Sequence, residues 1–203
     1  MTMTNPAQAL PGAFRSLRGL AFSCSLKRCL TLAVFAAAAW LSPLQETWAQ
    51  AVRSLLEMRQ EGVVVQQWDT SCGAAALATI FTYNFDDPVS ERAAAEGMLR
   101  RTDPLRVRVR GRFSLLDMKR FAESRGYSAA GLRHLGLDEL LQLRSPIVPI
   151  DEYGDPHFVV VRGLREGRID LADPGFGNRS MPVPRFEAAW KEGTAFVVTR
   201  DKR

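Results

Sequence analysis

After residue 145 the apolar residues stop recurring at helical spacing and gather into four short runs: IVPI (147–150), HFVVVRG (157–163), RIDLAD (168–173) and TAFVVT (194–199). They are rich in β-branched and aromatic side chains, and turn residues such as Tyr153-Gly154-Asp155-Pro156 and Glu166-Gly167 separate them. That is the pattern of strands joined by tight turns, hence of an antiparallel sheet.

The chain ahead of the sheet has the helical period. From Cys72 the sequence CGAAALATIFTYNF holds helix formers with an apolar stripe through Ala76, Ile80 and Tyr83, which predicts a buried helix. The turn residues Asp86, Asp87 and Pro88 start a second helix that runs from Val89 to Arg100. Ser114 with Asp117 three residues on is a capping-box start for a third, ending near Gly126, and a short fourth covers Leu137 to Leu143. Ahead of them VVVQ (63–66) is a short extended run. The segment RVRVRGR (106–112) alternates charged and apolar residues, so it reads as a half-buried edge strand or a solvated loop. Helices first and an antiparallel sheet after them make an α+β arrangement.

The first 49 residues are built differently. Arg15, Arg18, Lys27 and Arg28 precede the 13-residue apolar run from Cys29 to Leu41, and Pro43 and Thr47-Trp48-Ala49 follow it. A basic start, a short apolar core and a small-residue site are the three parts of a secretory signal peptide, with cleavage after Ala49 or at the neighbouring Ala51. The apolar run falls short of the about 20 residues of a membrane-spanning helix, so no stable membrane insertion is expected once the signal is removed. The division predicted is a signal peptide at 1–49, an N-terminal segment of the mature chain at 50–62 and one domain at 63–200, in a periplasmic protein.

Charge and composition narrow the function. The chain of 203 residues is 46% apolar and 24% charged, the balance of a soluble globular protein. Its formal charge of +5 falls to +2 without residues 1–49, which hold four basic residues and Glu46. The basicity therefore belongs to targeting, and no nucleic-acid partner is expected. RVRVRGR lacks the interleaved aromatics of a single-strand binder, which leaves docking to an acidic partner or a membrane surface as its use beyond fold.

Removing the signal also removes Cys24 and Cys29, leaving Cys72 without an internal disulfide partner in an oxidising compartment. A nucleophilic cysteine needs a base, a group to orient that base and donors for the developing oxyanion. Of two histidines, His157 opens the apolar strand HFVVV, and Asp173 ends the next strand, where a hairpin brings the two together. His134, in GLRHLGL with no acid nearby, reads as structural or exposed. The helix that begins at Cys72 aims its N-terminal amides at the substrate and favours the thiolate, and Gly73 leaves room for a substrate backbone. Trp68 reads either as a wall of the substrate channel or as a core residue.

The stretch Gln66 to Leu77, with Gln six residues before Cys and Cys-Gly-Ala-Ala-Ala-Leu after it, together with His157-Phe-Val-Val-Val and Asp173-Pro174, resembles the C39 peptidases, the bacteriocin-processing or double-glycine leader peptidases. The resemblance covers residues 60 to 200. It implies a papain-like cysteine peptidase fold, N-terminal helices packed on a C-terminal antiparallel sheet, and a thiol mechanism: Cys72 as nucleophile, His157 as general base and then acid, Asp173 as orienting group, Gln66 as oxyanion donor. It implies no metal or organic cofactor. Better-known members are fused to a transporter and cut exported peptides after Gly-Gly. This sequence carries no transporter, and Ser71 stands where those members often have Asp or Glu, so it looks closer to stand-alone exported C39-like proteins that accompany secretion systems for fibres or functional amyloid. The expected partners are an exported polypeptide substrate and such an assembly system. Two other readings stay open: a secreted thiol amidase acting on peptidoglycan, whose nucleophile usually sits in Asp-Cys-Ser-Gly instead of Ser71-Cys72-Gly73-Ala74, and a non-cleaving C39-like module that binds an exported client.

Overall fold

A computed structural model of the protein describes residues 53–200. Five helices come first: α1 (Leu55–Gln60), α2 (Cys72–Asn84), α3 (Glu91–Leu99), α4 (Pro104–Arg110) and α5 (Leu115–Ser124). Then follow β1 (Tyr127–Leu132), α6 (Leu137–Gln142), β2 (Ile147–Glu152), β3 (Asp155–Arg165), β4 (Arg168–Asp173), β5 (Gly177–Pro182), α7 (Val183–Ala189), a 3-10 turn at Lys191–Gly193 and β6 (Ala195–Arg200). The six strands form one sheet in the order β1-β6-β2-β3-β4-β5, with each paired neighbour antiparallel. No helix of the described residues is long and apolar enough to cross a membrane.

α2 is the centre of the molecule, buried from Cys72 to Phe81 without a polar face. A helix that is apolar all round must be enclosed on every side, and its run of Ala lets α3, α5 and β3 close on it. Leu77 and Phe81 meet Met98, Met118, Phe121, Phe158, Val160 and Phe196 on this face of the sheet. The opposite face carries a second core of Val148, Ile150, Val159, Val161, Ile169 and Leu171 under Leu140 and Phe186. Along β3, therefore, Phe158 and Val160 point to α2 while Val159 and Val161 point to α7, which explains why HFVVV is apolar without interruption: successive strand side chains alternate faces, and both faces are covered.

Several elements depart from the sequence pattern, each for a local reason. RVRVRGR is not an edge strand or loop; its first five residues are helical and complete α4. Asp103 accepts the Leu105 N–H at 2.9 Å, Pro104 occupies the first turn, and Gly111 closes the helix in the left-handed region at φ 72°. These start and stop signals override an alternation of period two, and the helix buries only Val107 while Leu105 and Val109 stay exposed. VVVQ is extended but joins no sheet: the Val64 N–H donates to Thr79 Oγ1 at 2.9 Å and the Gln66 N–H to the Pro174 carbonyl at 2.7 Å. Tyr83 leaves the buried stripe and is half exposed. β1 and β5, YSAAGL and GNRSMP, carry too few large apolar residues to announce themselves, and they form the two edges of the sheet.

α3 and α5 meet tightly at Gly97, where a Cβ would lie 2.2 Å from Phe121 Cε2. That ring is buried and packed edge-on against Phe81, so it has nowhere to retreat. Gly97→Ala is expected to destabilise the fold by about 1–3 kcal/mol despite alanine's better helix propensity, a fall readable as a lower thermal unfolding midpoint.

Candidate active site

Cys72 is the first residue of α2 and is 3% exposed; Ser71 precedes it as the N-cap but makes no side-chain capping bond. His157 and Asp173 come from the antiparallel neighbours β3 and β4, in the register Val160 opposite Ala172. Asp173 is thus the residue next after Ala172, close enough that its Oδ1 accepts from His157 Nε2 at 2.7 Å. With Nε2 taken, Nδ1 is the nitrogen left for Cys72, which lies near enough to the ring to help raise its pKa. The structure brings Cys72, His157 and Asp173 together.

Its electrostatics follow from burial and pairing. Burial works against a charged imidazole at position 157, yet the hydrogen bonds to Asp173 and Cys72 outweigh it and raise the His157 pKa to about 9. Asp173 is fully buried, which pushes its carboxyl up. The hydrogen bond and charge of His157, with the charge of Arg179, overcome that and hold it below the ordinary carboxylate range.

Asp173 is held from every side. The Gly175 and Phe176 N–H groups donate to its Oδ1 at 2.8 and 3.3 Å, and Arg179 Nε donates to its Oδ2 at 2.7 Å. Arg179 continues to Glu152 at 2.5 Å, which also accepts from Arg185 at 2.7 Å. Arg179 was not legible as a site residue: it lies in the polar run GNRSMP, and only the register that places it opposite Leu171 turns it toward Asp173.

A cleft of about 810 Å³ opens at His157, lined among others by Gln66, Gly175, Phe176 and Arg59. Arg59 comes from α1, which is fixed beside β5 by Asn178 donating to the Met58 and Glu61 carbonyls at 3.3 and 2.6 Å. Gln66 points its amide toward the cleft wall: Nε2 donates one hydrogen to the Trp68 carbonyl at 3.1 Å, and Oε1 is buried without a partner. Gln67 is exposed, and its backbone N–H donates to the buried Glu91 at 2.8 Å. Glu91 was also missed, because Ser90-Glu91 reads as an ordinary helix start.

Two expectations about neighbours change. Gly73 does not leave room for a substrate; a Cβ there would meet Met118 Sδ at 3.2 Å and Phe158 at 3.5 Å, so its smallness serves packing. Trp68 is neither core nor cleft wall. It is 45% exposed and borders a separate groove of about 470 Å³ with Leu99, Val107 and Phe113. His134 is exposed, and its backbone N–H donates to the Glu192 carbonyl on the β6 side of the sheet.

The model of the peptidase C39 family matches residues 60–203. The chain belongs to the peptidase C39 family. That family is one of cysteine peptidases, a class of hydrolases, and the arrangement of helices on an antiparallel sheet is its papain-like fold. The chain is 40% identical over 148 residues, 72% of its length, to the probable functional amyloid proteases FapD of Pseudomonas aeruginosa and Pseudomonas fluorescens. The matched stretch spans 64% of the length of each of those proteins. An uncharacterised protein of Methanothermobacter marburgensis is 33% identical over 70% of this chain and 91% of its own. Among solved structures, the peptidase domain of Streptococcus ComA, a bi-functional ABC transporter of a quorum sensing pathway, superposes with a TM-score of 0.57 at 19% identity, covering 68% of this chain and 98% of that one. A double glycine motif protease from an AMS/PCAT transporter, in complex with its leader peptide, gives 0.57 at 21% identity, covering 68% and 91%. At those identities the two structures speak for the fold.

Proposed function

We propose that the protein is an exported C39 peptidase that cuts a secreted polypeptide with Cys72, His157 and Asp173. The observation that carries this reading is the half-buried His157 ring at the wall of the cleft, bonded to Asp173 at 2.7 Å and with Cys72 near enough to help raise its pKa. His157 takes the thiol proton; the thiolate attacks the scissile carbonyl carbon and the C–N bond breaks as the ring returns the proton to the leaving amine. A water molecule, deprotonated by the same ring, then hydrolyses the thioester and restores the thiol. The second N–H of Gln66 Nε2, free of the Trp68 carbonyl, joins the Cys72 backbone N–H as oxyanion donor.

The client on this reading is an exported chain with small residues before the cut, by analogy with the double glycine motif protease, and the FapD relatives suggest that it belongs to a fibre-forming secretion system. Residues 1–49, which lie outside the described residues, serve as a signal peptide cleaved after Ala49, so that the mature chain begins near Gln50 in the periplasm. Incubating the mature protein with candidate exported polypeptides and reading the fragments by mass spectrometry tests the activity, and the intact mass of the processed protein tests the start. Cleavage of a peptidoglycan stem peptide alone would move the assignment to a wall amidase.

The two neighbouring glutamines separate the roles. Gln66→Ala is expected to lower turnover about 10²- to 10³-fold, the usual cost of one oxyanion donor, with little change in KM. Gln67→Ala, which removes only an exposed side chain, is expected to stay within about threefold of the wild type. Steady-state kinetics on one client peptide reads both, and the reverse order would reassign the oxyanion role.

A further inference from the structure

We infer that Glu91 is a positioning residue that holds the loop carrying Gln66 to Cys72 in its working shape, an inference that rests on the reading of Cys72 and Gln66 given above. Glu91 stands at the start of α3 and touches no residue of the triad, yet its side chain reaches under the 66–71 loop and is 3% exposed. Its Oε1 accepts the Gln67 N–H at 2.8 Å and meets the Ser71 hydroxyl; its Oε2 is buried without a partner. No arginine or lysine pairs with it among the described residues. Burying a carboxyl group with an unpartnered oxygen is costly, and an apolar side chain there would extend the core that Val89, Ala94 and Met98 already form. A feature that costs stability at a site's edge is better explained by what it holds.

What it holds is a closed set of bonds. The Trp68 carbonyl accepts from Gln66 Nε2 at 3.1 Å and lies 2.6 Å from Ser71 Oγ, whose single hydrogen is shared between that carbonyl and Glu91 Oε1, so the loop folds around that carbonyl. Glu91 ties down the same turn at both ends, at the Gln67 N–H immediately after Gln66 and at the Ser71 hydroxyl immediately before Cys72. With both anchors fixed, the direction of the Gln66 amide and of the Cys72 N–H is fixed too. Releasing them leaves the thiol, His157 and Asp173 in place, since these rest on α2, β3 and β4. The role is therefore specific to stabilising the oxyanion and not to activating the sulfur.

The test compares two reactions of the full mature chain. Alkylation of Cys72 by iodoacetamide needs the thiolate but no oxyanion hole; hydrolysis of a client peptide, or capture of a Gly-Gly peptide aldehyde as a thiohemiacetal, needs both. Glu91→Leu is expected to lower kcat about 10- to 100-fold and weaken aldehyde capture similarly, with KM and the alkylation rate within about twofold of the wild type. Glu91→Gln, which keeps an acceptor oxygen for the Gln67 N–H, is expected to retain activity within about fivefold. Combined with Gln66→Ala, Glu91→Leu is expected to add almost nothing, because both changes remove the same donor. If Glu91→Leu does not fold, Ser71→Ala should show the same signature at about three- to tenfold. An unchanged kcat, a parallel loss of alkylation, or a loss that adds in full to that of Gln66→Ala overturns the inference. A wild type whose Cys72 reacts with neither probe overturns the peptidase reading itself, which keeps the two failures apart.

Discussion

Cys72→Ala is expected to abolish hydrolysis, a loss of up to about 10⁶-fold, while the protein stays folded and still binds its client. The substitution removes one sulfur from the first residue of α2, a position where alanine suits the helix, so the thermal midpoint should move little. Mass spectrometry of client fragments reads the loss, and co-purification of uncut client with the variant reads the retained binding. Residual cleavage at the wild-type bond would place the nucleophile elsewhere. A second cysteine to take over is not at hand in the described residues, since Cys72 is the one free cysteine there, and the other histidine, His134, is exposed and tied by its backbone to Glu192.

Asp173→Asn is expected to lower turnover about 10⁴-fold, the scale seen when the orienting carboxylate of a comparable triad is neutralised without moving it. Two effects act together: the ring loses the partner that fixes which nitrogen faces the thiol, and it loses the charge that keeps it protonated. Burial, which alone pulls the His157 pKa down, then goes unopposed by Asp173, so its titration should fall from about 9 to well below that value, readable in the imidazole resonances by NMR. The same pair sets a stability window. The folded ring keeps its proton up to about pH 9 where the unfolded one releases it at 6.5, so its contribution is complete below pH 6.5 and is lost as pH rises through 9. Asp173 works in the opposite sense: its pKa is depressed below 3.8, and its contribution is complete above that value and is lost as pH falls through the lower folded one. The pair therefore contributes in full from about pH 4 to 6.5. In Asp173→Asn the acid loss disappears and the alkaline loss shrinks.

α2 and β3 show what the sequence settles. The Ala run after Cys72 permits a helix enclosed on all sides, and HFVVV permits a strand covered on both faces; each is a local pattern with one physical reading, and the two hold Cys72 and His157. The spacing of His157 and Asp173 across a short turn is also local, which is why their contact was foreseeable from the hairpin. α4 marks the limit of reading by period alone: Asp103-Pro104 and Gly111 carried the helix signal, and the charge alternation between them masked it.

Burial of polar groups was not legible in this way. Arg179 and Glu91 are charged residues in unremarkable polar contexts, GNRSMP and SERAAA, and nothing within a few residues of either says that it will be enclosed. Arg179 is turned to Asp173 by the pairing of β5 with β4, and Glu91 is closed over by the loop from Gln66 to Ser71 folding back onto the start of α3. By itself the sequence determined the α+β class, the helix that begins at Cys72 and the strands that carry His157 and Asp173, because hydrophobic period and turn chemistry act over neighbouring residues. Only the tertiary structure decided which charges support them, because a charge is buried or solvated according to what distant parts of the chain place against it.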